Sequence, residues 1–360
     1  IEEGRPAVTD DPSLLCASGA IDAIIEATGE IEFGAEVALT ALDHRKHLVL
    51  MNAELDATVG PILKVKADEA GVVLTNTDGD QPGVVMNLLR FVRSIGYRPV
   101  LAGNVKGLID PYRTPETQRA FAAAHGQGTK MITSFADGTK LAMEMAIVAN
   151  ATGFGVGQRG MYGPACDHAE EAGGLFPEDQ LLNGGLVDYV LGAEPGPGVF
   201  VIGYNDNPTR KPYMEYFKMG TGPFYVFYTP YHLPHLEAPL TVARAVDFAD
   251  AAVAAQGGPV CEVVTVAKTD LAAGTRLDGI GGFHTYGVLD NAATSRRENL
   301  LPMGLSEDAI LKRDCRQDQP LTFDDVTLPD NRLVDALWTE QHEHFRTASP
   351  SETTPVPLPA

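Results

Sequence analysis

Cysteine, positive charge and long apolar runs are all scarce in this sequence, and each scarcity excludes a class of protein. The four cysteines stand far apart and form no CxxC pair, which argues against a zinc site and predicts free thiols in a reducing cytoplasm. No apolar run reaches the roughly 18 residues that a membrane-spanning helix needs, so we expect a soluble, cytoplasmic protein without a membrane partner. The formal net charge of −21 argues against nucleic acid as a partner, because duplex binding depends on phosphate neutralisation by Lys and Arg.

A glycine-rich phosphate loop is also missing from the opening segment, where no G-x-G-x-x-G motif follows a strand. The closely spaced glycines of GFGVGQRG at 153–160 follow a predicted helix instead of a strand, so we do not expect them to bind phosphate. The chain opens on Ile1 and not on methionine. We therefore interpret the opening segment as the second half of a dinucleotide-binding domain whose first half lies upstream.

Apolar periodicity predicts alternating strands and helices over residues 1–80. Short apolar runs indicate buried strands at IDAIIEAT, HLVLMN and VVLTNT, and helical apolar spacing in FGAEVALTALDHRKH indicates a helix after the first strand. A second helix, VGPILKVKADEAG, should end at Gly71, the residue type that most often closes a helix. Because strand–helix–strand units with short links form parallel sheets, we predict an α/β fold with a partial Rossmann-type sheet.

Changes in glycine and proline content and in the length of apolar runs divide the remaining chain. After the half dinucleotide-binding domain we predict an α+β catalytic or dimerisation domain, in which Gly- and Pro-rich loops separate helices from apolar strands. Short strands punctuated by Gly and Pro then indicate a small all-β module, and the end of the chain has little core-forming content after one helix. The predicted divisions are residues 1–80, 81–258, 259–330 and, for a C-terminal helix with a disordered tail, 331–360.

The segment from Ser134 to Glu144 carries the most informative charged residues. On a helix, Asp137, Lys140 and Glu144 lie at i, i+3 and i+7 and share one face. Buried carboxylates require partners, so we expect Asp137 or Glu144 to pair with Lys140. A buried Lys beside carboxylates can supply the proton, or the fixed positive charge, that hydride transfer to a carbonyl requires. The alternative is an ion pair that only positions the helix.

Polar residues at predicted strand ends are the other candidates, because ligands bind at the carboxyl ends of parallel strands. Lys106 ends one such strand and is a second catalytic candidate, with a solvated loop lysine as the alternative. We expect Asp80 and Gln81 to hold substrate hydroxyl groups, together with Ser134 and His232. A core or hinge histidine is the alternative for His232. No spacing of His, Cys or carboxylate residues indicates a metal site.

Several motifs resemble a known family. IIEATG, KHLVLMNAELDATVGP and SFADGTK are similar to homoserine dehydrogenase and its relatives, and VVTVAKTDLAAGTRLDG resembles the opening of an SAF (β-clip) domain. The closer resemblance is to SAF-bearing oxidoreductases that include the deoxyxylulose-phosphate-reductoisomerase-like enzymes. The resemblance implies NAD or NADP as cofactor, a small-molecule substrate, a homo-oligomer, and catalysis by Asp137 and Lys140. It also implies a cofactor border formed by Ala27, Thr28, Gly29 and Asn52.

One departure from the homoserine dehydrogenase pattern concerns the substrate. Those enzymes have Lys directly after the Asn of the second strand, whereas this chain has Ala53. We therefore expect hydride transfer to or from another small polyol, sugar or phosphorylated carbonyl compound. A reductoisomerase, which would call for a divalent metal, and a ligand-binding or scaffold protein without catalysis are the alternatives.

In the SAF-like segment, His284 and Tyr286 of the loop FHTYG are the residues best able to reach a polar ligand. The charged residues of this segment fall at predicted turns, where solvation is the ordinary explanation. These charged residues are Lys268, Asp270, Arg276 and Asp278.

Overall fold

The computed structural model describes residue 1 and residues 3–347 of the chain. The predicted disordered tail, from residue 348 onward, lies outside the described residues. None of the helices in the described part of the chain is both long enough and apolar enough to cross a membrane.

The N-terminal region forms a three-stranded parallel sheet flanked by helices, which confirms the predicted α/β class. The strands lie in the order β1-β2-β3, and Ile25 of β1 pairs with Val49 of β2. The elements are α1 (Pro12–Ala17), β1 (Ala23–Glu26), α2 (Ile31–Asp43), β2 (His47–Leu50), α3 (Ala53–Ala70) and β3 (Leu74–Asn76).

Helix α3 has clear start and stop signals. The Asn52 side chain accepts a hydrogen bond from the Leu55 backbone N–H at 3.1 Å and so caps the first turn. Gly71 ends the helix at a φ of 73°, a left-handed conformation that favours glycine, and this confirms the prediction for Gly71. The helix begins at Ala53 and not at Val59, because the cap precedes the apolar run that suggested it.

The central region contains a mixed four-stranded sheet in the order β5-β4-β6-β7. Strand β4 is parallel to β5 and antiparallel to β6, and β6 is antiparallel to β7. The elements are α4 (Gln81–Ser94), β4 (Arg98–Lys106), α5 (Pro115–Ala124), α6 (Thr129–Ala136), α7 (Thr139–Thr152), α8 (Glu178–Leu182), β5 (Leu186–Leu191), β6 (Gly198–Tyr204), α9 (Lys211–Tyr216), β7 (Phe224–Thr229) and α10 (Pro234–Phe248).

Helix α7 is buried along almost its whole length. Every residue from 139 to 151 is buried. The helix itself carries Ala, Met, Ile and Val on all of its faces, as a helix inside a protein does. The helix packs against α3, α4 and the strands of the C-terminal region. Its two charged residues, Lys140 and Glu144, therefore lie inside the protein and need partners there.

The C-terminal region contains two antiparallel strand pairs, β8 with β9 and β10 with β11. Its elements are β8 (Cys261–Ala267), β9 (Thr285–Asn291), α11 (Ala292–Arg297), β10 (Ile310–Leu311), β11 (Val326–Thr327) and α12 (Leu333–Thr347). One apolar core joins Leu48 and Leu55 of the first region to Leu277, Leu301 and Leu337. The C-terminal strands thus share their core with α3 and the parallel sheet.

Candidate active site

The site centres on a buried ion pair between Lys140, in the first turn of α7, and Glu54, in the first turn of α3. The Lys140 Nζ lies 3.0 Å and 3.1 Å from the two carboxylate oxygens of Glu54. Both residues are almost fully buried, at 8% and 4% exposure. The sequence analysis missed Glu54, although an acidic residue between the apolar Ala53 and Leu55 is a signal of a buried, partnered carboxylate.

Burial and nearby carboxylates act on Lys140 in opposite directions. Burial lowers the pKa of Lys140, but the charges of Glu54, Asp80 and Glu144 outweigh burial, so the net pKa is raised. Lys140 is therefore an ammonium group at neutral pH. Such a group supplies both a proton and a fixed positive charge inside the protein.

A second buried network lies beside this pair, at the carboxyl end of β4 and at the start of α4. The Asn104 Nδ2 donates to Gln81 Oε1 at 2.8 Å and to Glu144 Oε2 at 3.0 Å. The Lys106 Nζ donates to the same Gln81 Oε1 and to Glu144 Oε2, the latter at 3.2 Å. Burial raises the pKa of Glu144, and Lys106 opposes this shift.

Asp80 and His232 complete the network. We call the polar cluster the set of seven residues Asp80, Gln81, Asn104, Lys106, Lys140, Glu144 and His232. The Asp80 carboxylate caps α4 by accepting the Gln81 backbone N–H at 2.9 Å. Burial lowers the pKa of His232, and the neighbouring Lys106 lowers it further, so the imidazole is neutral at neutral pH. The structure thus brings together Lys106, Lys140, Glu144, Asp80, Gln81 and His232 of the predicted site residues.

The predicted pairing of Lys140 with Asp137 or Glu144 is wrong. Glu144 pairs with Lys106, and the Asp137 carboxylate binds Lys268 at 2.8 Å. Burial raises the pKa of Asp137, and Lys268 opposes this shift. The spacing of Asp137 and Lys140 predicts a shared helical face, but α7 begins only after Asp137. The Asp137 carboxylate accepts the Thr139 backbone N–H at 2.8 Å.

The expectation of a solvated Lys268 is also wrong. This residue is 4% exposed, and its Nζ donates to the backbone carbonyls of Arg113 and Gly282 at 2.7 and 2.8 Å as well as to Asp137. The three donors of one ammonium group are therefore all used within the protein. Asp270 and Arg276, by contrast, are exposed, as predicted.

A cavity of about 450 Å³ opens next to Glu54. Of the predicted cofactor and substrate residues, Thr28, Gly29 and Ser134 line it. Ala27 is exposed and is not part of this lining. Asn52 is fully buried and does not line the cavity either, but its Nδ2 donates to the carbonyl of the lining residue Glu30 at 2.9 Å. The remaining lining residues are Glu30, Ile31, Glu32, Glu54, Gly128, Lys130, Met131, Ile280, Met303, Gly304, Glu307, Asp308, Arg332 and Val334.

The charges around the cavity are mostly negative. Five of the lining residues are Glu or Asp, and the two cations, Lys130 and Arg332, already donate to protein oxygens. The lining therefore suits a neutral or positively charged group better than a phosphate.

His284 and Tyr286 lie outside both the polar cluster and the cavity lining. The His284 backbone N–H donates to Asp278 at 3.1 Å, and the Tyr286 hydroxyl donates to Asp318 at 3.1 Å. Both residues are thus engaged with carboxylates of their own region. Across residue 1 and residues 3–347, no group of three or more His, Cys, Asp and Glu side chains is arranged to hold a metal ion.

Residues 79–238 match the family model of the oxidoreductase DRL catalytic domain. The matched segment contains the whole polar cluster, but not Glu54 or the loop that carries Thr28 and Gly29. The match covers less than half of the chain, and it makes the central region similar to an oxidoreductase catalytic domain. No curated protein matches the chain.

Solved structures of several oxidoreductases are similar to parts of the chain. Amine dehydrogenase from Mycobacterium smegmatis shares 15% identity over 68% of this chain and 78% of that chain, with a TM-score of 0.37. Biliverdin reductase from Synechocystis sp. PCC 6803, solved with biliverdin and NADP⁺, shares 16% identity over 54% and 64%, with a TM-score of 0.29. A Bacillus subtilis protein described as an oxidoreductase shares 20% identity over 30% and 31%, with a TM-score of 0.23. The chain spans about a third of the Bacillus subtilis protein.

Proposed function

We propose that this protein transfers a hydride between NAD or NADP and a small polar hydroxy or carbonyl compound. One observation carries the proposal. Glu54 lines the cavity and at the same time holds Lys140, whose ammonium group is part of the polar cluster. The Lys140–Glu54 pair therefore links the cavity to a set of buried polar side chains.

In this proposal the nicotinamide end of the cofactor occupies the cavity and the phosphates lie outside it; the negative charge of the lining supports this orientation. A nicotinamide ring with its ribose carries no negative charge and suits a lining rich in carboxylates. Thr28, Gly29 and Ser134 would border this part of the cofactor. The bound cofactor supplies or accepts the hydride. NAD and NADP are equally compatible with this lining.

Lys140 supplies the proton in the proposed reaction. When a carbonyl substrate receives a hydride, its oxygen becomes an alkoxide and takes a proton from the Lys140 ammonium group. In the reverse direction, the neutral Lys140 amine accepts the hydroxyl proton as the hydride leaves the carbon. Glu54 favours the ammonium form in both directions and holds its Nζ in place.

The finer resemblances belong to the same proposal. We propose a homoserine-dehydrogenase-like enzyme with an SAF domain, which acts as a homo-oligomer in the cytoplasm. The candidate substrates are polyols, sugars and their phosphorylated carbonyl relatives. The division of the chain into regions that end near residues 80, 258 and 330 is also proposed.

A kinetic comparison of Lys140→Ala with the wild type tests the function. Hydride transfer is followed by nicotinamide absorbance, with millimolar NADH or NADPH and a panel of small carbonyl compounds. Loss of the proton donor should lower kcat by roughly 100-fold or more. Lys64→Ala, which removes a lysine that pairs with Asp68 on the surface of α3, is the matched control and should keep wild-type turnover. Near-normal turnover of a folded Lys140→Ala protein would refute the assignment.

A further inference from the structure

Three buried polar atoms of the polar cluster lack hydrogen-bond partners within the described part of the chain. They are Gln81 Nε2, Asn104 Oδ1 and His232 Nδ1. Gln81 is 1% exposed and Asn104 is fully buried. Because buried polar groups in proteins are almost always hydrogen-bonded, three such atoms in one cluster indicate a bound polar group.

The surrounding charges determine which of these atoms donate and which accept. Lys106 can only donate, so the Gln81 atom that faces it must be the carbonyl oxygen, and the Gln81 amide N–H groups point elsewhere. Glu144 can only accept, so the Asn104 atom that faces it must be the amide nitrogen. The Asn104 Nδ2 uses both of its N–H groups, on Gln81 and Glu144. What remains is a donor on Gln81 and an acceptor on Asn104.

His232 adds a second acceptor. The backbone of Pro197, which can offer only a carbonyl oxygen, raises the pKa of the imidazole slightly against the effect of burial. The Nδ1 atom is buried without a partner among the described residues, and with the ring proton on Nε2 it is an acceptor. Nδ1 of the neutral ring is then a free lone pair. His232 and Lys106 are both partly exposed, so the polar cluster opens to solvent on their side.

We infer that the polar cluster recognises the hydroxyl groups of an uncharged polyol or sugar, and this inference rests on the proposed function for the identity of the site. One free donor atom, the Gln81 nitrogen with its two N–H groups, and two free acceptor atoms require a ligand that both accepts and donates hydrogen bonds. A pair of hydroxyl groups does so: each can donate to Asn104 or His232, and either can accept from Gln81.

Charged groups satisfy the cluster less well. A phosphate or carboxylate only accepts, and it would place its oxygens against the Asn104 carbonyl and the His232 lone pair. An ammonium group only donates and would leave the Gln81 N–H unpaired. The charges agree, since the carboxylates of Asp80 and Glu144 already balance Lys106 and Lys140 and leave no excess positive charge for an anion. The inference therefore selects the polyol and sugar classes over the phosphorylated class.

Binding of three five-carbon compounds to the intact chain tests the inference without any cofactor. The probes are ribitol, ribonate and ribitol 5-phosphate, which differ in one terminal group, and binding is measured by calorimetry. Ribitol should bind about tenfold more tightly than either anion, since one unmatched buried hydrogen bond accounts for a factor of this size. Tighter binding of ribonate or ribitol 5-phosphate, or no binding of ribitol, would overturn the inference.

Two substitutions at His232 link the effect to the cluster. His232→Phe removes the acceptor and should weaken ribitol binding about three- to tenfold, whereas His232→Asn keeps an acceptor near Nδ1 and should restore it. His125→Phe, an exposed histidine stacked on Phe121, is the control and should bind like the wild type. Unchanged binding in His232→Phe would overturn the inference.

Ribitol binding without hydride transfer would refute the proposed function alone, and hydride transfer without polyol preference would refute the present inference alone.

Discussion

The buried Asp56 of α3 allows the effect of a buried charge on the free energy of unfolding to be measured. The residue is 4% exposed, and its carboxylate receives one hydrogen bond, from the Asn76 Nδ2 at 3.3 Å. Burial raises the pKa of Asp56 from 3.8 to about 6, and the Asn76 hydrogen bond opposes burial only weakly. The folded protein therefore resists the ionisation of Asp56, while the unfolded chain does not.

The sign and the size of the effect on stability follow from this difference in pKa. Well below pH 3.8 the carboxyl is protonated in both states and has no ionisation penalty. As the pH rises from about 4 to about 6, the unfolded chain loses its proton first, so the free energy of unfolding decreases. Well above pH 6 the loss is constant at about 3 kcal/mol, because each unit of pKa difference corresponds to about 1.4 kcal/mol.

Asp56→Asn removes the penalty while it keeps the shape of the side chain. The variant should be more stable than the wild type by up to about 3 kcal/mol at pH 7.5, and by only about 0.5 kcal/mol at pH 4. Urea unfolding followed by circular dichroism at pH 4, 5.5 and 7.5 measures the difference. Glu69→Gln removes the same charge from an exposed position of α3 and controls for the net charge of −21. A stabilisation that does not depend on pH would refute the reasoning.

Two further predictions concern the buried lysines. Glu54→Gln removes the carboxylate that most strongly raises the pKa of Lys140, so the loss of activity on the alkaline side should begin at lower pH; an unmoved alkaline limb of kcat/KM would contradict the pairing. Lys268→Met leaves Asp137 buried without its partner and should lower the free energy of unfolding by about 3–5 kcal/mol, whereas the double variant Lys268→Met with Asp137→Asn should recover most of it. Lys130→Met, which breaks an exposed ion pair, is the control in the same unfolding assay. If Lys130→Met and Lys268→Met lowered the free energy of unfolding equally, burial would not explain the effect.

The polar cluster shows how far neighbours in sequence predict neighbours in space. Helical spacing correctly placed Lys140 and Glu144 on the buried α7, because nearly every residue around them is small or apolar. The same spacing suggested the wrong partners. Lys140 binds a glutamate 86 residues away, and Glu144 binds a lysine 38 residues away. A helix has several faces, and the element that packs against each face selects the partner.

Lys268 shows a second limit of sequence reasoning. It follows directly after the end of β8, where a lysine is ordinarily solvated. Here its backbone N–H donates to the His284 carbonyl at 2.7 Å, and the side chain enters the space between three chain segments. No local pattern distinguishes such a lysine from an exposed one, since the acceptors come from residues 113, 137 and 282.

The sequence by itself determined the alternation of strands and helices, the parallel sheet and the glycine that ends α3. These features depend on apolar periodicity and on backbone conformations that only certain residues adopt, and both are local properties. The tertiary structure alone decided that Glu54, which lines the cavity, pairs with Lys140 and that Asp137 pairs with Lys268. Charges buried in an apolar interior must be paired, and which opposite charge is within reach depends on how distant elements pack together.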